Sequence, residues 1–230
     1  MRARPGNFGK SGLEVHLRQL FPVPVSIAVA APAMYDLPLL PGENQIISMA
    51  GRNRQREFAA GRASARQALS AWGQQPVPLL RTASGAPHWP AGFVGSISHS
   101  GNMCVAVAAP SQLALAIGID VEQASPLRRE LNQLIFNNEE LAHLENLSAT
   151  APAPLLTKIG FTAKEAFYKA YNTIVDGYID FLDIEVSINA LHSGSSGSLH
   201  IIPLKFSHKG ALTCNWKLLE DYIFTACTII

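Results

Sequence analysis

The sequence predicts an α+β protein made of two similar α+β halves. Two observations predict it. Each part of the 230-residue chain runs helix first and strands afterwards, which is the order of an α+β chain rather than of repeated βαβ units. In addition, "FAAGRASARQA" from Phe58 aligns without gaps on "FTAKEAFYKAY" from Phe161: Phe, two alanines and the basic position (Arg66 against Lys169) coincide, while Arg62 faces Glu165. The junction then falls near residues 110–118, dividing an N-terminal half, residues 21–115, from a C-terminal half, residues 116–230. Clefts between domains are where ligands commonly bind.

Along the chain, residues 1–20 carry little signal and are read as an N-terminal arm, compatible with mobility. "VSIAVA" reads as a buried strand. From about Asn44 to Trp72 the pattern is helical, with Phe58, Ala59, Ala65 and Leu69 as the apolar stripe and Gly73 as the stop. "QQPVPLLRTASGAPHWPAG" is too rich in Pro, Gly and Ser for regular structure. "GSISHSGNMCVAVAA" predicts strand, tight turn at Ser100–Asn102 and strand, and "LALAIGIDVE" a further strand. "LRRELNQLIFNNEELAHLENL" is helical, with Asn137 or Asn138 able to cap the segment from Glu139. "PLLTKIGFTAKEAFYKAYNTI" is a longer helix. "FLDIEVSI", "SLHIIPLKF", "CNWKLL" and "YIFTACTII" then read as strands, with "HSGSSGS" as a flexible hairpin loop.

Composition narrows the function. A net charge of +1 argues against a nucleic-acid surface built from bulk charge. Three cysteines without metal-ligand spacing fit a reducing compartment better than a disulfide framework. The apolar "FPVPVSIAVAAPAMY" is broken by Pro22, Pro24 and Pro32, so it is neither a membrane span nor a convincing leader. The expectation is a soluble, cytoplasmic protein.

Only 15% of the residues are charged, so the places where charge gathers are informative. In "GIDVE", strand alternation puts Asp120 and Glu122 on one face and Val121 on the other. Two like charges that close repel, and a cation between them relieves the repulsion; a solvated strand end is the bland alternative. In "FTAKEAFYKA", Glu165 and Lys169 share a helical face on a helix made mostly apolar by Phe161, Ala163, Ala166, Phe167 and Ala170. That favours a cleft over an open surface, though an exposed ion pair would leave the same trace. "ISHSG" offers Ser98, His99 and Ser100 and turn N–H groups that suit a phosphate. Ser98 and His99 point to opposite strand faces and are poorly placed as nucleophile and base. "GRNRQREFAAGR" concentrates Arg52, Arg54, Arg56 and Arg62, a solvated helix face or a set of forks for phosphate monoesters. Glu139 and Glu140 sit at a helix start, where the dipole favours them in any case.

Taken in order, "GR" at 61–62, "GAPHWPAG" at 85–92, "SISHS" at 96–100, "GIDVE" at 118–122 and "TAKEAFYKA" at 162–170 together resemble the 4′-phosphopantetheinyl transferase superfamily, in its two-halved surfactin- and enterobactin-synthetase-type branch. The resemblance implies two α+β halves related by pseudo-two-fold symmetry with the active site in the cleft between them. The N-terminal half would bind coenzyme A and the C-terminal half carry the metal and catalytic residues. It implies transfer of the 4′-phosphopantetheine arm of coenzyme A to a serine of an apo acyl, peptidyl or aryl carrier protein, with release of adenosine 3′,5′-bisphosphate.

On this sequence the resemblance makes Asp120, Glu122 and Glu165 the Mg²⁺ set. Glu165 or Glu140 would accept the serine proton, and Lys169 would hold a phosphate oxygen. Ser98, His99, Arg62 and one or more of Arg52, Arg54 and Arg56 would contact the phosphates, and Gly85 and Pro87 the adenine. Ala86 stands where many relatives have a basic residue, so Arg81 or the upstream arginines must compensate, or coenzyme A is bound less tightly. Phe161 stands where tryptophan is frequent. Both halves in one polypeptide suggest a monomer that needs neither nucleic acid nor membrane. The carrier of a siderophore, polyketide, nonribosomal peptide, fatty-acid or other pathway would serve equally. Two other readings use the same residues: a Mg²⁺-dependent phosphohydrolase acting on water, and a non-catalytic module that captures coenzyme A or a carrier protein.

Overall fold

In the computed structural model of the chain, residues 10–147, 153–175, 179–192, 195–205 and 211–230 are described. Two antiparallel sheets lie face to face with a long helix on each outer side. The N-terminal sheet has the order β1 (Ser26–Val29), β3 (Met103–Pro110), β2 (Phe93–Ser100); the C-terminal sheet runs β4 (Ala116–Gln123), β8 (Tyr222–Ile229), β7 (Leu212–Leu219), β6 (Ser196–Pro203), β5 (Ile184–His192). Alternation along the strands sorts the side chains. Ile27, Val29, Val105 and Val107 of the first sheet meet Ile117, Ile119, Val121, Phe224 and Ala226 of the second in one shared core. The opposite faces take the helices. Ala28, Ala106 and Ala108 receive Ala65, Ala68 and Leu69 of α3 (Arg52–Ser70). Ala116, Ile223 and Cys227 receive Ala163, Ala166 and Ala170 of α6 (Ala153–Tyr171). The small residues on these helices let their backbones approach the sheets closely.

The two halves repeat one topology. In each, a first strand (β1 or β4) is followed by a 19-residue helix (α3 or α6). An antiparallel meander comes next, and its last strand returns to pair with the first, β3 on β1 and β8 on β4. The meander has two strands in the first half and four in the second.

The halves also share a buried pin. Glu43 opens α2 (Glu43–Ile47) and is fully buried. Its Oε2 accepts from the Leu40 N–H at 2.9 Å, and its Oε1 accepts from Arg66 of α3 at 2.7 Å and from the Leu79 N–H at 2.9 Å. Glu140 in α5 (Asn138–Asn146) does the same. Its Oε2 accepts from the Asn137 N–H at 2.9 Å, and its Oε1 accepts from Lys164 of α6 at 2.8 Å and from the Val186 N–H at 2.8 Å. Each glutamate thus ties the start of its own helix, a cation on the long helix and the chain beyond that helix.

Several sequence expectations need correction. The helix expected from Asn44 to Trp72 is two helices, because Gly51 leaves the helical region (φ −63°, ψ 156°) to cap α3. The Gln55 side chain then donates to the carbonyls of Ser48 and Ala50. The arm expected at residues 1–20 is partly structured: α1 (Lys10–Arg18) buries Leu13 and Leu17 in the shared core, and Glu14 accepts from the Val29 N–H at 3.0 Å. The i, i+4 pair Leu13 and Leu17 is the signal for it. Residues 1–9 lie outside the described residues, as do 193–194 of the expected hairpin loop and Phe206 at the end of an expected strand. "FLD" of the expected strand is a 3-10 turn before β5. The "LRRELNQLIFNNEEL" segment divides into α4 (Arg129–Ile135) and α5, with Asn137 the cap of α5 in a full capping box with Glu140. Among the described residues no helix is long and apolar enough to cross a membrane.

Two glycines are required by geometry. A Cβ at Gly118 would stand 1.9 Å from the Ala166 carbonyl oxygen, so only glycine lets β4 lie against α6 here. Gly101 turns the β2–β3 hairpin at φ +57°, and a Cβ there would meet the Gln123 amide at 2.7 Å. Gly101→Ala is expected to destabilise the protein by about 1 kcal/mol, read as a fall in Tm of about 2–4 °C by calorimetry. An unchanged Tm would mean the turn relaxes without strain.

Candidate active site

β2 and β4, edge strands of their two sheets, meet at Ser98. Its hydroxyl donates to Asp120 Oδ1 at 2.8 Å and accepts from the Val121 N–H at 3.2 Å. This contact opens a cleft of about 390 Å³ between the halves, within the size range of small-molecule sites. α3 supplies Arg54, Glu57, Phe58, Gly61 and Arg62 to it; β2 supplies Ser98 and His99; β4 supplies Asp120 and Glu122; α6 supplies Phe161, Glu165 and Lys169. A lip supplies Arg81, Gly85 and Pro87. That lip is a short hairpin, held by the Leu80–His88 and Thr82–Ala86 backbone bonds and an isolated bridge between Arg81 and Pro87.

Alternation places the carboxylates as the sequence predicts. Val121 is buried in the core between the sheets while Asp120 and Glu122 face the cleft. Lys169 Nζ sits 2.6 Å from Asp120 Oδ1 and donates to Ser98 Oγ at 2.9 Å. Glu122 accepts from Ser100 at 3.4 Å and from Lys158 at 3.5 Å. Asp120 is 4% exposed, and its Oδ2 is buried with no hydrogen-bond partner among the described residues. Burial, and then the charge of Asp120, push the Glu122 carboxyl above its ordinary value, against Lys158 and Ser100. Burial raises Glu165 as well; Lys169 opposes this, and Asp120 and Glu122 add to it.

An acid whose folded pKa is raised contributes stability below the unfolded value and loses it as pH rises through the folded one. At neutral pH the raised Glu122 and Glu165 carboxyls therefore work against the fold. Glu165→Gln is expected to raise Tm at pH 7, with the advantage vanishing near pH 4 as the wild-type carboxyl protonates. A lower Tm for the variant at pH 7 would contradict this electrostatic account.

These side chains fit a divalent cation by donor chemistry: three carboxylates, one with a buried oxygen that has no partner among the described residues. They do not form a ready-made trio. Among the described residues no group of three or more His, Cys, Asp or Glu is arranged to hold a metal ion. Lys169 and Lys158 instead hold Asp120 and Glu122.

The other end of the cleft is basic. Arg62 is 5% exposed, its guanidinium stacks on the Phe58 ring at 4.3 Å and its Nε is buried without a partner among the described residues. Burial first, then Arg81, Arg66 and Arg54, pull it down to about 10, opposed by Glu43. Arg62 therefore stays charged at neutral pH, with no carboxylate in ion-pair contact among the described residues. Arg81 lies over the same ring at 5.9 Å. Arg54 Nη1 contacts His99 Nε2 and donates to Glu57 at 3.2 Å, and Glu57 lies 3.7 Å from His99 Nδ1. Burial and then Arg54 lower the imidazole below its ordinary value against Glu57, and Lys169 adds to the lowering against Asp120. At neutral pH the ring is neutral, accepting from Arg54 at Nε2 and turning Nδ1–H toward Glu57.

The structure brings Arg54, Arg62, Arg81, Gly85, Pro87, Ser98, His99, Asp120, Glu122, Glu165 and Lys169 to one cleft. It does not bring Glu140 there. Both Glu140 oxygens are committed inside the C-terminal half, paired with the fully buried Lys164, so the expectation that Glu140 could take a proton from substrate is corrected. Arg56 also points away, forming a fork with Asp36 at 2.8 and 3.0 Å. Sequence reasoning missed Glu57 as a partner of His99, Phe58 as the platform for Arg62, and Lys158 as a partner of Glu122. The spacing Arg54, Glu57/Phe58, Gly61/Arg62 is a single helical face and could have found the first two.

Comparison with known proteins gives the family. The model for the 4′-phosphopantetheinyl transferase N-terminal domain matches residues 42–109, and that for the 4′-phosphopantetheinyl transferase superfamily matches residues 116–227. The chain is similar to 4′-phosphopantetheinyl transferase Svp of Streptomyces mobaraensis, 34% identical over 170 residues, 71% of this chain and 69% of the relative. It is 30% identical over 202 residues to 4′-phosphopantetheinyl transferase Npt of Nocardia iowensis, covering 83% of this chain and 89% of the relative. Enterobactin synthase component D of Escherichia coli is 35% identical over 194 residues, 84% of this chain and 85% of the relative.

Proposed function

The chain belongs to the 4′-phosphopantetheinyl transferase superfamily, and from that membership we propose which of its residues transfer the 4′-phosphopantetheine arm of coenzyme A to a carrier protein. The observation that carries the assignment is a single cleft with arginines at one end and three carboxylates and a lysine at the other. A coenzyme A molecule has the matching polarity: a 3′-phosphate at the adenosine end and a pyrophosphate farther along.

Arg62, on its Phe58 platform, and Arg54 receive the 3′-phosphate, with neutral His99 beside them. Arg81 lies across the same ring and supplies the charge that Ala86 does not. The lip at Gly85 and Pro87 covers the adenine. Lys169 donates to a pyrophosphate oxygen, and Ser98 keeps that lysine and Asp120 in register. Asp120, Glu122 and Glu165 would hold a Mg²⁺ ion, which when bound neutralises charge on the departing phosphate. Glu165 accepts the proton of the carrier serine as its oxygen bonds to the phosphorus of the arm. The bond to adenosine 3′,5′-bisphosphate breaks, and that product leaves. The division of labour follows the chain, with residues 21–115 binding coenzyme A and residues 116–230 supplying the acids. The enterobactin synthase relatives favour a siderophore synthase carrier.

Chromatography of the nucleotide product tests this reading. Adenosine 3′,5′-bisphosphate is expected to accumulate only when coenzyme A, Mg²⁺ and an apo carrier are all present, one molecule per modified carrier. Phosphate or nucleotide release without carrier would establish the phosphohydrolase instead. Tight coenzyme A binding with no release on any carrier would establish the binding module.

A further inference from the structure

The lip that carries Arg81, Gly85 and Pro87 has little packing of its own, since residues 81–85 are exposed. Its hold on the protein lies at its feet. Trp89, at the far foot, is 9% exposed in the core beneath α3. At the near foot Leu79 is fully buried, and its N–H donates to Glu43 Oε1 at 2.9 Å. The same oxygen receives Arg66, one helical turn beyond Arg62 on α3, at 2.7 Å, and the charge of Glu43 also acts on Arg62. A fully buried carboxylate therefore joins the segment entering the lip to the helix bearing the anion-binding arginines. Loss of one partner of such a pair leaves the other charge buried and unpaired.

We propose that Glu43 is a positioning residue for coenzyme A: through Leu79 and Arg66 it fixes the gap between the 80–88 lip and Arg62, and so sets affinity for the adenosine 3′-phosphate end without touching it. The inference rests on the transferase reading for its ligand, but not for its mechanics. Glu140, the equivalent pin of the other half, holds Lys164 and β5 and is the internal control.

Two readouts on the full chain test the role. Hydrogen exchange of the amides of residues 79–88, which needs no activity, should speed about tenfold or more in Glu43→Gln while β7 and β8 keep their protection. In the transfer assay the KM for coenzyme A should rise about tenfold in Glu43→Gln, with kcat and the KM for the carrier within about twofold. Glu140→Gln should not raise the KM for coenzyme A selectively. If the unpaired Arg66 prevents folding, Glu43→Leu with Arg66→Met removes both charges and leaves the lip equally unanchored. Unchanged exchange at 79–88 in a folded variant would overturn the proposal, as would a loss spread evenly over both substrates and kcat. A wild-type chain that transfers nothing would sink the transferase reading, while the exchange experiment would still decide the role of Glu43.

Discussion

Asp120→Asn is expected to fold normally and to lose transfer activity by about 10²-fold or more, the usual consequence of removing a catalytic acid–base or metal-holding group. The substitution keeps the shape and removes the charge that meets Lys169 at 2.6 Å and the buried oxygen that has no partner among the described residues. A second consequence makes the result specific. Asp120 helps hold Glu122 and Glu165 above their ordinary values, and without it Lys169 is free to favour the ionised form of Glu165. The acidic limb of the residual pH–rate profile should therefore move to lower pH. A simple loss of protein would leave the limb where it was. Wild-type activity in the variant would remove Asp120 from the site.

Glu140→Ala is expected to act through stability. It leaves the Lys164 ammonium fully buried without its carboxylate, held by the carbonyls of Ile135, Phe181 and Ile184. Burial already pulls that lysine below its ordinary value, with Glu140 opposing the shift. Breaking such a pair costs about 3–5 kcal/mol, a fall in Tm on the order of 10 °C for a chain of this size. Glu140→Leu with Lys164→Met should recover most of the loss, since an apolar pair leaves no charge unpaired. An unchanged Tm with activity abolished would return Glu140 to the chemistry.

The contrast between these carboxylates marks how far sequence reading reaches. Asp120, Glu122 and Glu165 were legible as face-sharing groups because their spacing obeys a rule: period two on a strand for the first two, and a helical turn to Lys169 for the third. The metal role proposed for them came from the family resemblance. Glu140 had an acceptable motif position and the wrong environment. What removes it from the chemistry is a contact with Lys164, 24 residues away, and with a strand amide 46 residues away, and no local pattern encodes either. The same limit explains why Glu43 went unnoticed. Its partners Arg66 and Leu79 are brought to it by tertiary packing.

Among the fold elements, the long helices and the β2–β3 hairpin follow from periodicity and turn chemistry. The break at Gly51 does not, since it is stabilised by the Gln55 side chain reaching back to carbonyls the helix gives up. The similarity of the halves was visible as a short echo between two helices. It is firmer in the return of β3 to β1 and β8 to β4, and in the two glutamate pins.

Transfer by the acidic cleft is tested by the intact mass of a purified apo carrier protein after incubation with this chain, coenzyme A and Mg²⁺, with and without EDTA, beside the Asp120→Asn variant. A gain of one phosphopantetheine arm per carrier is expected, abolished by EDTA and nearly so by the variant. A gain that persists in EDTA or in the variant would contradict the assignment of the acidic cleft, and no gain on any carrier would contradict the transfer itself.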